Sequence, residues 1–324
     1  MHKLKRLIVV LVTLIVATVF TLPVNAQQEP GSGLSISPTL AELTVQPGAN
    51  EKLEINLKNV TANRITAKAS IYDFESDNLT GNPKIITDPK QASPNSIRRF
   101  IQGLSDVDLD VGQQKKFSLT ANIPSDTAPG AYFGIIRYKA VPVGQAAPAE
   151  GQLSLSASVG TIVLISVPGD VREQVQLSGL HVYRGGYDGG IFVRKPDKVG
   201  VEIRNLGNSF VKPFGTVEIQ NTFGKNIYTY QLNNTNPRST VLPDSRRIFE
   251  DGLKNISQPG RYTVTASVSY GSGGQVLTLK KTFWYIPIWL AVVIIVVLLI
   301  LVFLVFRAYR RFRRDSKRAY RRRS

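Results

Sequence analysis

The sequence predicts an all-β protein of two tandem β-sandwich domains followed by one transmembrane helix. Three observations carry this. Apolar residues recur with a period of two over most of residues 27–283, turn formers punctuate those runs, and 21 residues from Ile286 to Phe306 carry no charge. A strand alternates its side chains between two faces, whereas a buried helical face repeats every three or four residues.

Residues 1–26 come first. Lys3, Lys5 and Arg6 precede a long apolar stretch that closes on Val24 and Ala26. Small residues at −3 and −1 fit cleavage after Ala26, so the segment reads as a signal peptide. The length of the apolar run leaves an uncleaved anchor as the alternative. Either way residues 27–283 lie on the exported side.

The first domain is assigned to residues 27–170. In "KLEINLKNV" (residues 52–60) Leu53, Ile55 and Leu57 alternate with polar neighbours. "RITAKASIYDF", "KKFSLTANIP", "AYFGIIRYKAV" and "GTIVLISV" continue the pattern. Between them stand Pro47-Gly48, Thr80-Gly81-Asn82-Pro83, Val111-Gly112 and Pro129-Gly130. Half-buried strands so spaced predict an antiparallel sandwich. "SPNSIRRFIQGL" is the one candidate short helix. "PVGQAAPAEGQ" (residues 142–152) is expected to be a long hairpin loop inside this domain, with the boundary near residues 168–171.

The second domain, residues 171–283, has strand runs "KVGVEIRNLG", "FGTVEIQNTFG", "NIYTYQL", "SRRIFEDGL", "GRYTVTASVSYG" and "QVLTLKKTFWY". The scale is that of a seven-stranded sandwich of the immunoglobulin-like type. The transmembrane helix follows at 284–306. Its uncharged core of 21 residues is about 31 Å long as a helix, the thickness of a bilayer's hydrocarbon. Trp284, Tyr285 and Trp289 sit where amphipathic aromatics favour the headgroups, and Arg307, Arg310 and Arg311 open a basic tail, 307–324, expected to be cytoplasmic.

Charge now divides sensibly. The formal net charge is +17, but the tail holds ten basic residues and one acid, and residues 27–283 keep only +5. The tail is expected to rest on anionic lipid. Nucleic acid is not a predicted partner. With no cysteine, the fold must stand without disulfides, which favours a bacterial envelope protein over an animal surface receptor.

Little in the sequence carries catalytic chemistry. His2 and His181 are the two histidines. A zinc site of histidine and cysteine ligands cannot be built from them, and a Ser-His-Asp triad is not favoured. Asp73, Glu75 and Asp77, and again Asp106, Asp108 and Asp110, alternate as the solvated face of a strand would, with calcium binding the competing reading. "RGGYDGG" (residues 184–190) lacks a P-loop lysine and reads as a hairpin tip. No enzyme activity, cofactor, metal or small-molecule substrate is predicted. Candidate binding residues are Tyr132 and Phe133 in "GAYFG" and Arg184 and Tyr187 in "RGGYDGG", with core packing and a plain turn as the competing explanations. Four N-x-S/T sequons, at Asn59, Asn78, Asn233 and Asn255, are read as chance matches.

Two segments resemble the WxL-interacting proteins of Gram-positive bacteria. "SISPTLAELTVQPGANEKLEINLKNVTANRITAKASIYDF" with "IPSDTAPGAYFGIIRYKAV" is similar to their N-terminal, peptidoglycan-binding domain. Residues 201–262, with Asn205, Gly207, "GTVEI", Pro243-Asp244-Ser245 and Pro259-Gly260-Arg261-Tyr262, resemble their host-binding domain. The order of signal, two domains, single span and basic tail also matches. The resemblance implies immunoglobulin-like domains that bind cell-wall peptidoglycan or surface proteins without catalysis. A membrane-anchored accessory or chaperone-like subunit of a secretion or pilus system, offering a sheet edge to a partner strand, is the alternative.

Overall fold

The computed structural model describes residues 33–88, 91, 93–143, 158–271 and 273–321, with side chains described as far as Arg311. The predicted signal peptide, the centre of the 142–152 loop and the end of the tail lie outside the described residues.

The first ten strands are β1 (Leu34–Ser37), β2 (Leu40–Thr44), β3 (Asn50–Asn59), β4 (Ile65–Ser76), β5 (Pro83–Ile86), β6 (Ile101–Gln102), β7 (Val107–Leu109), β8 (Gln114–Asn122), β9 (Gly130–Pro142) and β10 (Ser158–Val167). They form two facing sheets, β1-β3-β8-β6 and β2-β10-β9-β4-β5, with β7 beside β4. The next nine are β11 (Val175–Arg184), β12 (Tyr187–Asp188), β13 (Ile191–Phe192), β14 (Lys198–Asn205), β15 (Phe214–Gln220), β16 (Asn226–Leu232), β17 (Arg246–Gly252), β18 (Gly260–Tyr270) and β19 (Gln275–Tyr285). Their sheets are β12-β11-β14-β17 and β13-β19-β18-β15-β16. Helix α1 (Ile288–Arg321) follows. The protein is therefore all-β apart from that helix, with two immunoglobulin-like sandwiches in tandem.

Alternation builds both cores. β3 turns Leu53, Ile55 and Leu57 inward, and β18 buries Tyr262, Val264, Ala266, Val268 and Tyr270 in strict succession. Each of the leucine, isoleucine and valine side chains contributes roughly 1.5–3 kcal/mol on leaving water. In each domain one early strand crosses to the opposite sheet and pairs in parallel with the last strand. β2 lies on β10, and β13 lies on β19.

Central strands β9 and β10 are buried on both faces. Tyr132, Ile136, Tyr138, Val163 and Ile165 enter the first core. Phe133, Ile135 and Leu164 point the other way, into a third cluster with Phe74 and Leu242, against which Phe210 packs. That cluster joins the domains. The joint also carries backbone bonds from Ala131 N–H to Asn208 O (2.9 Å) and from Ile248 N–H to Leu79 O (2.7 Å).

Both domains repeat the same two fastenings. Asn59 is fully buried at the end of β3 and donates to Asn63 O, Leu109 O and Asp110 O, while its Oδ1 accepts the Thr61 N–H. Asn205, at the end of β14, donates to Ser209 O and Val241 O and accepts the Gly207 N–H. Tyr132 donates its hydroxyl to Ala128 O (2.9 Å), and Tyr262 donates to Gln258 O (2.6 Å). Each tyrosine follows a Pro-Gly pair whose glycine, Gly130 or Gly260, has φ near 150°.

Two expectations are corrected. "SPNSIRRFIQGL" forms turns and strand β6 rather than a helix. Ile97 and Phe100 are both fully buried, and a single turn (Phe100 N–H to Ile97 O, 2.9 Å) suffices to aim both inward before Ile101 joins β8. Asp73 is not on a solvated face. It is fully buried, accepts from Ser96 Oγ at 2.6 Å and lies 3.3 Å from Arg98 Nε. The cause is the segment 93–98, which folds across this end of β4 and brings a cation with it.

Candidate functional site

An open concavity lies between the domains. Its volume is about 520 Å³, and β2 and β10 form one wall with Glu42, Thr44, Leu164 and Ser166. Phe210, Lys212, Phe214 and Arg238 of the second domain face them. A smaller hollow of about 200 Å³ continues along Leu40, Ile162 and Leu242.

The β2 wall is a sheet edge, because β10 is the one strand paired with it among the described residues. Ile162 N–H reaches Thr39 O and Val45 N–H reaches Ser166 O. In a parallel ladder so registered, residues 39, 41, 43 and 45 turn their backbone groups to β10. Those of Leu40, Glu42 and Thr44 turn outward into the cleft. Their side chains line it too, since Ala41 and Val45 occupy the core face. An unpaired edge of this kind is a template for an added strand.

The opposite wall supplies charge and aromatic surface. The Arg238 guanidinium stands over the Phe214 ring at 4.2 Å, a cation–π contact, and forms no ion pair among the described residues. Lys212 pairs with Glu42 across the cleft. Beside the joint, the β4–β5 hairpin rests on the start of β17, where Arg246 N–H donates to Asn78 Oδ1 (3.2 Å). Burial alone would raise the Asp77 carboxyl of that hairpin, but Thr80 Oγ1 and the backbone N–H groups of Leu79, Gly81 and Thr80 outweigh it and hold it down at about 2.

A second polar cluster lies on the second domain. His181 Nδ1 is 2.8 Å from Asp188 Oδ2, and Nε2 is 3.1 Å from Glu202 Oε2. Arg246 pairs with Glu202 and Lys281 with Asp188. Burial pushes both carboxyls up, yet the hydrogen bonds from His181, with those from Lys281 and Val182 N–H at Asp188 and from Ser178 and Arg246 at Glu202, keep both below their ordinary values. Each His181 nitrogen already faces a carboxylate that also holds a cation. The cluster therefore fastens β11, β12, β14 and β19 together and leaves no open ligand position. No group of three or more histidine, cysteine, aspartate or glutamate side chains is arranged to hold a metal ion among the described residues.

The sequence-derived candidates scatter. Tyr132 closes the corner described above, against Phe100 at 5.0 Å. Phe133 is in the interdomain cluster, 5.0 Å from Phe74 and 6.1 Å from Phe210. Arg184 pairs with Asp197 at 3.4 Å. Tyr187 is exposed beside the Gly185-Gly186 turn, where φ values of 56° and 85° suit glycine. Trp284 and Trp289 are exposed, whereas Tyr285 is buried in the second core. Arg307, Arg310 and Arg311 lie on α1, Arg310 over the Phe306 ring at 4.7 Å. The acids of "DVDLD" are solvated: Asp106 pairs with Lys68, Asp110 with Arg64, and Asp108 accepts from Thr66. Sequence reasoning missed β2 and Arg238. The one available signal was "TLAELTV", a short alternation just after Pro38.

Residues 288–311 of α1 are long and apolar enough to cross a membrane, with an 18-residue stretch of mean hydropathy 3.7 that nothing buries. No protein-family model matches the sequence, and no curated protein matches it. Solved structures do. The class 5 fimbriae chaperone CfaA is 13% identical over 79% of this chain and 100% of its own, with a TM-score of 0.39. The E. coli chaperone DraB is 14% identical over 78% and 96%, at 0.33. A protein of unknown function from Porphyromonas gingivalis W83 is 11% identical over 78% and 99%, at 0.29. The likeness is one of fold.

Proposed function

We propose that the protein is a non-enzymatic, single-pass envelope protein whose exported domains hold an extended segment of another envelope protein against β2. The observation that carries this is the free edge of Leu40, Glu42 and Thr44 inside a cleft walled by Arg238, Phe214 and Phe210. An edge strand offers main-chain hydrogen bonds to any extended chain, and the apolar and cationic wall opposite would select among them. The resemblance to WxL-interacting proteins agrees with a surface-protein partner, and the apolar α1 with its basic end agrees with an exported N-terminal part and a cytoplasmic tail. The chaperone-like alternative would use the same edge.

A photo-crosslinking residue at Leu40, in the full-length protein made in its own cells, is expected to capture a protein. Thr44→Pro should abolish that adduct, because it removes an outward N–H while sparing the ladder to β10, where proline is tolerated at an edge. A crosslinker at Lys116, on the far sheet, is the control. Equal capture at Lys116, or capture at Leu40 indifferent to Thr44→Pro, would overturn the proposal.

A further inference from the structure

The end of the second domain from which α1 departs is both apolar and basic. β19 ends at Tyr285 and α1 begins at Ile288. The three peptide steps between them span at most about 11 Å. Whatever α1 enters, this end of the domain stands beside it.

Ile191, Trp284 and Arg261 are register neighbours on β13, β19 and β18 and so share one face. Ile191 is 66% exposed and Trp284 46%. The β15–β16 hairpin reaches the same level, since Thr222 Oγ1 accepts the Arg261 N–H and donates to Arg261 O. At its tip Phe223 is 89% exposed. The tip is well fastened: Asn221 Oδ1 accepts from the N–H groups of Phe223 and Lys225, both at 3.0 Å. Phe223 is thus held outward by its turn. Tyr187, 68% exposed on the β11–β12 hairpin, belongs to the same end. Single exposed apolar side chains are ordinary. Four gathered at one end, three of them aromatic, mark a contact surface.

The charges there are one-sided. Arg194, Lys195, Lys225, Lys254 and Arg261 occupy the loops and strand starts of this end and form no ion pair among the described residues. Of the nearby acids, Asp188, Asp197 and Glu250 are already engaged by Lys281, Arg184 and Lys198, which leaves Asp251 alone against five cations without an ion pair among the described residues. In the first domain the corresponding end, around Pro129-Gly130, is covered by the next body along the chain, with Asn208 bonded to both Ala131 and Pro129. In the second domain the next body along the chain is α1.

We infer that this end docks on the headgroup layer of the bilayer that α1 enters, with Phe223, Trp284, Ile191 and Tyr187 at headgroup depth and the unpaired cations on anionic phospholipid. The inference rests on α1 being a membrane span. Aromatics favour that layer, and each cation near an anionic surface shifts the docked-to-undocked ratio about fivefold.

The chain has no cysteine, so single-cysteine labels are clean. Full-length protein carrying a fluorophore at Phe223→Cys, Val111→Cys or Leu298→Cys is placed in nanodiscs whose headgroups bear a spin-label quencher. The lipid is phosphatidylcholine with or without phosphatidylglycerol. Quenching at position 223 is expected to exceed that at 111, to grow with phosphatidylglycerol, and to fall about fivefold in docked ratio with Arg261→Gln. Quenching at 223 no stronger than at 111, with a label at 298 still reporting the bilayer interior, would overturn the docking but leave the span. A label at 298 open to water would overturn the span itself. Shielding at 223 that follows protein concentration rather than lipid charge would assign the surface to a second copy, and so overturn the inference too.

Discussion

The two domains share one topology and the same fastenings, yet they bury different faces of the same strand. β9 and β18 are counterparts, each following a Pro-Gly pair and each turning a corner tyrosine inward. On β9 the residues pointing away from the core are Phe133 and Ile135, both buried in the cluster at the joint. On β18 they are Thr263, Thr265 and Ser267, half exposed. The fold is thus indifferent to what lies outside the sheet, and the residues at alternate positions decide whether a face becomes an interface or meets water. The first domain is built to be covered, the second to be seen.

The sharpest way to break that comparison is Phe133→Ala against Thr263→Ala. The first removes a large ring from the interdomain cluster and is expected to cost about 3–5 kcal/mol. The second should stay within about 0.5 kcal/mol, as surface substitutions do. Urea unfolding of the solubilised full-length protein measures both. Similar losses would mean that the face of β18 is also covered.

The fastenings should behave alike where the faces do not. Asn59→Ala and Asn205→Ala each strand buried carbonyls and an N–H, and an orphaned buried group costs about 1–3 kcal/mol. Both are expected to lose at least about 2 kcal/mol, Asn59→Ala the more, since it holds three carbonyls against two for Asn205. Tyr132→Phe and Tyr262→Phe each delete one hydrogen bond and should each cost about 1 kcal/mol. A large loss at Tyr132→Phe alone would show that the corner of the first domain depends on the second domain resting against it.

Much of this was legible in the sequence, for a physical reason. A strand with one wet face must alternate, so β3, β8 and β15 to β19 can be read directly, whereas β9, expected as one more half-buried strand, is buried on both faces through its run "AYFGII". The remainder depends on what the chain brings from elsewhere. Asn59 reads as a sequon until the carbonyls of Leu109 and Asp110 arrive beside it. Asp73 reads as solvated until residues 93–98 fold over it. The β1–β2 crossing hides because neither piece exceeds five residues. The cleft is invisible for the same reason: Thr44 and Arg238 are almost two hundred positions apart and meet only across the joint.

Acid should separate the joint from the second domain by the smallest effect of all. Asp77 stands at about 2 rather than its ordinary 3.8. A carboxyl depressed by folding supports the folded state above its unfolded value, and that support is lost as pH falls through the folded one. The β4–β5 hairpin should therefore hold its place on β17 at neutral pH and loosen between 3.8 and about 2. Asp188 and Glu202 are depressed as well, so the His181 cluster loses its support in the same downward direction. Asp77→Asn should flatten the acid response of amide exchange at Leu79 and Ile248 while leaving that at Val182 unchanged, and Glu202→Gln should do the reverse. The Asp77 effect will be modest, because a carboxylate so accessible to water is well screened. If one substitution flattened both responses, the hairpin and the cluster would be titrating as a unit, and the division of labour between joint and second domain would have to be redrawn.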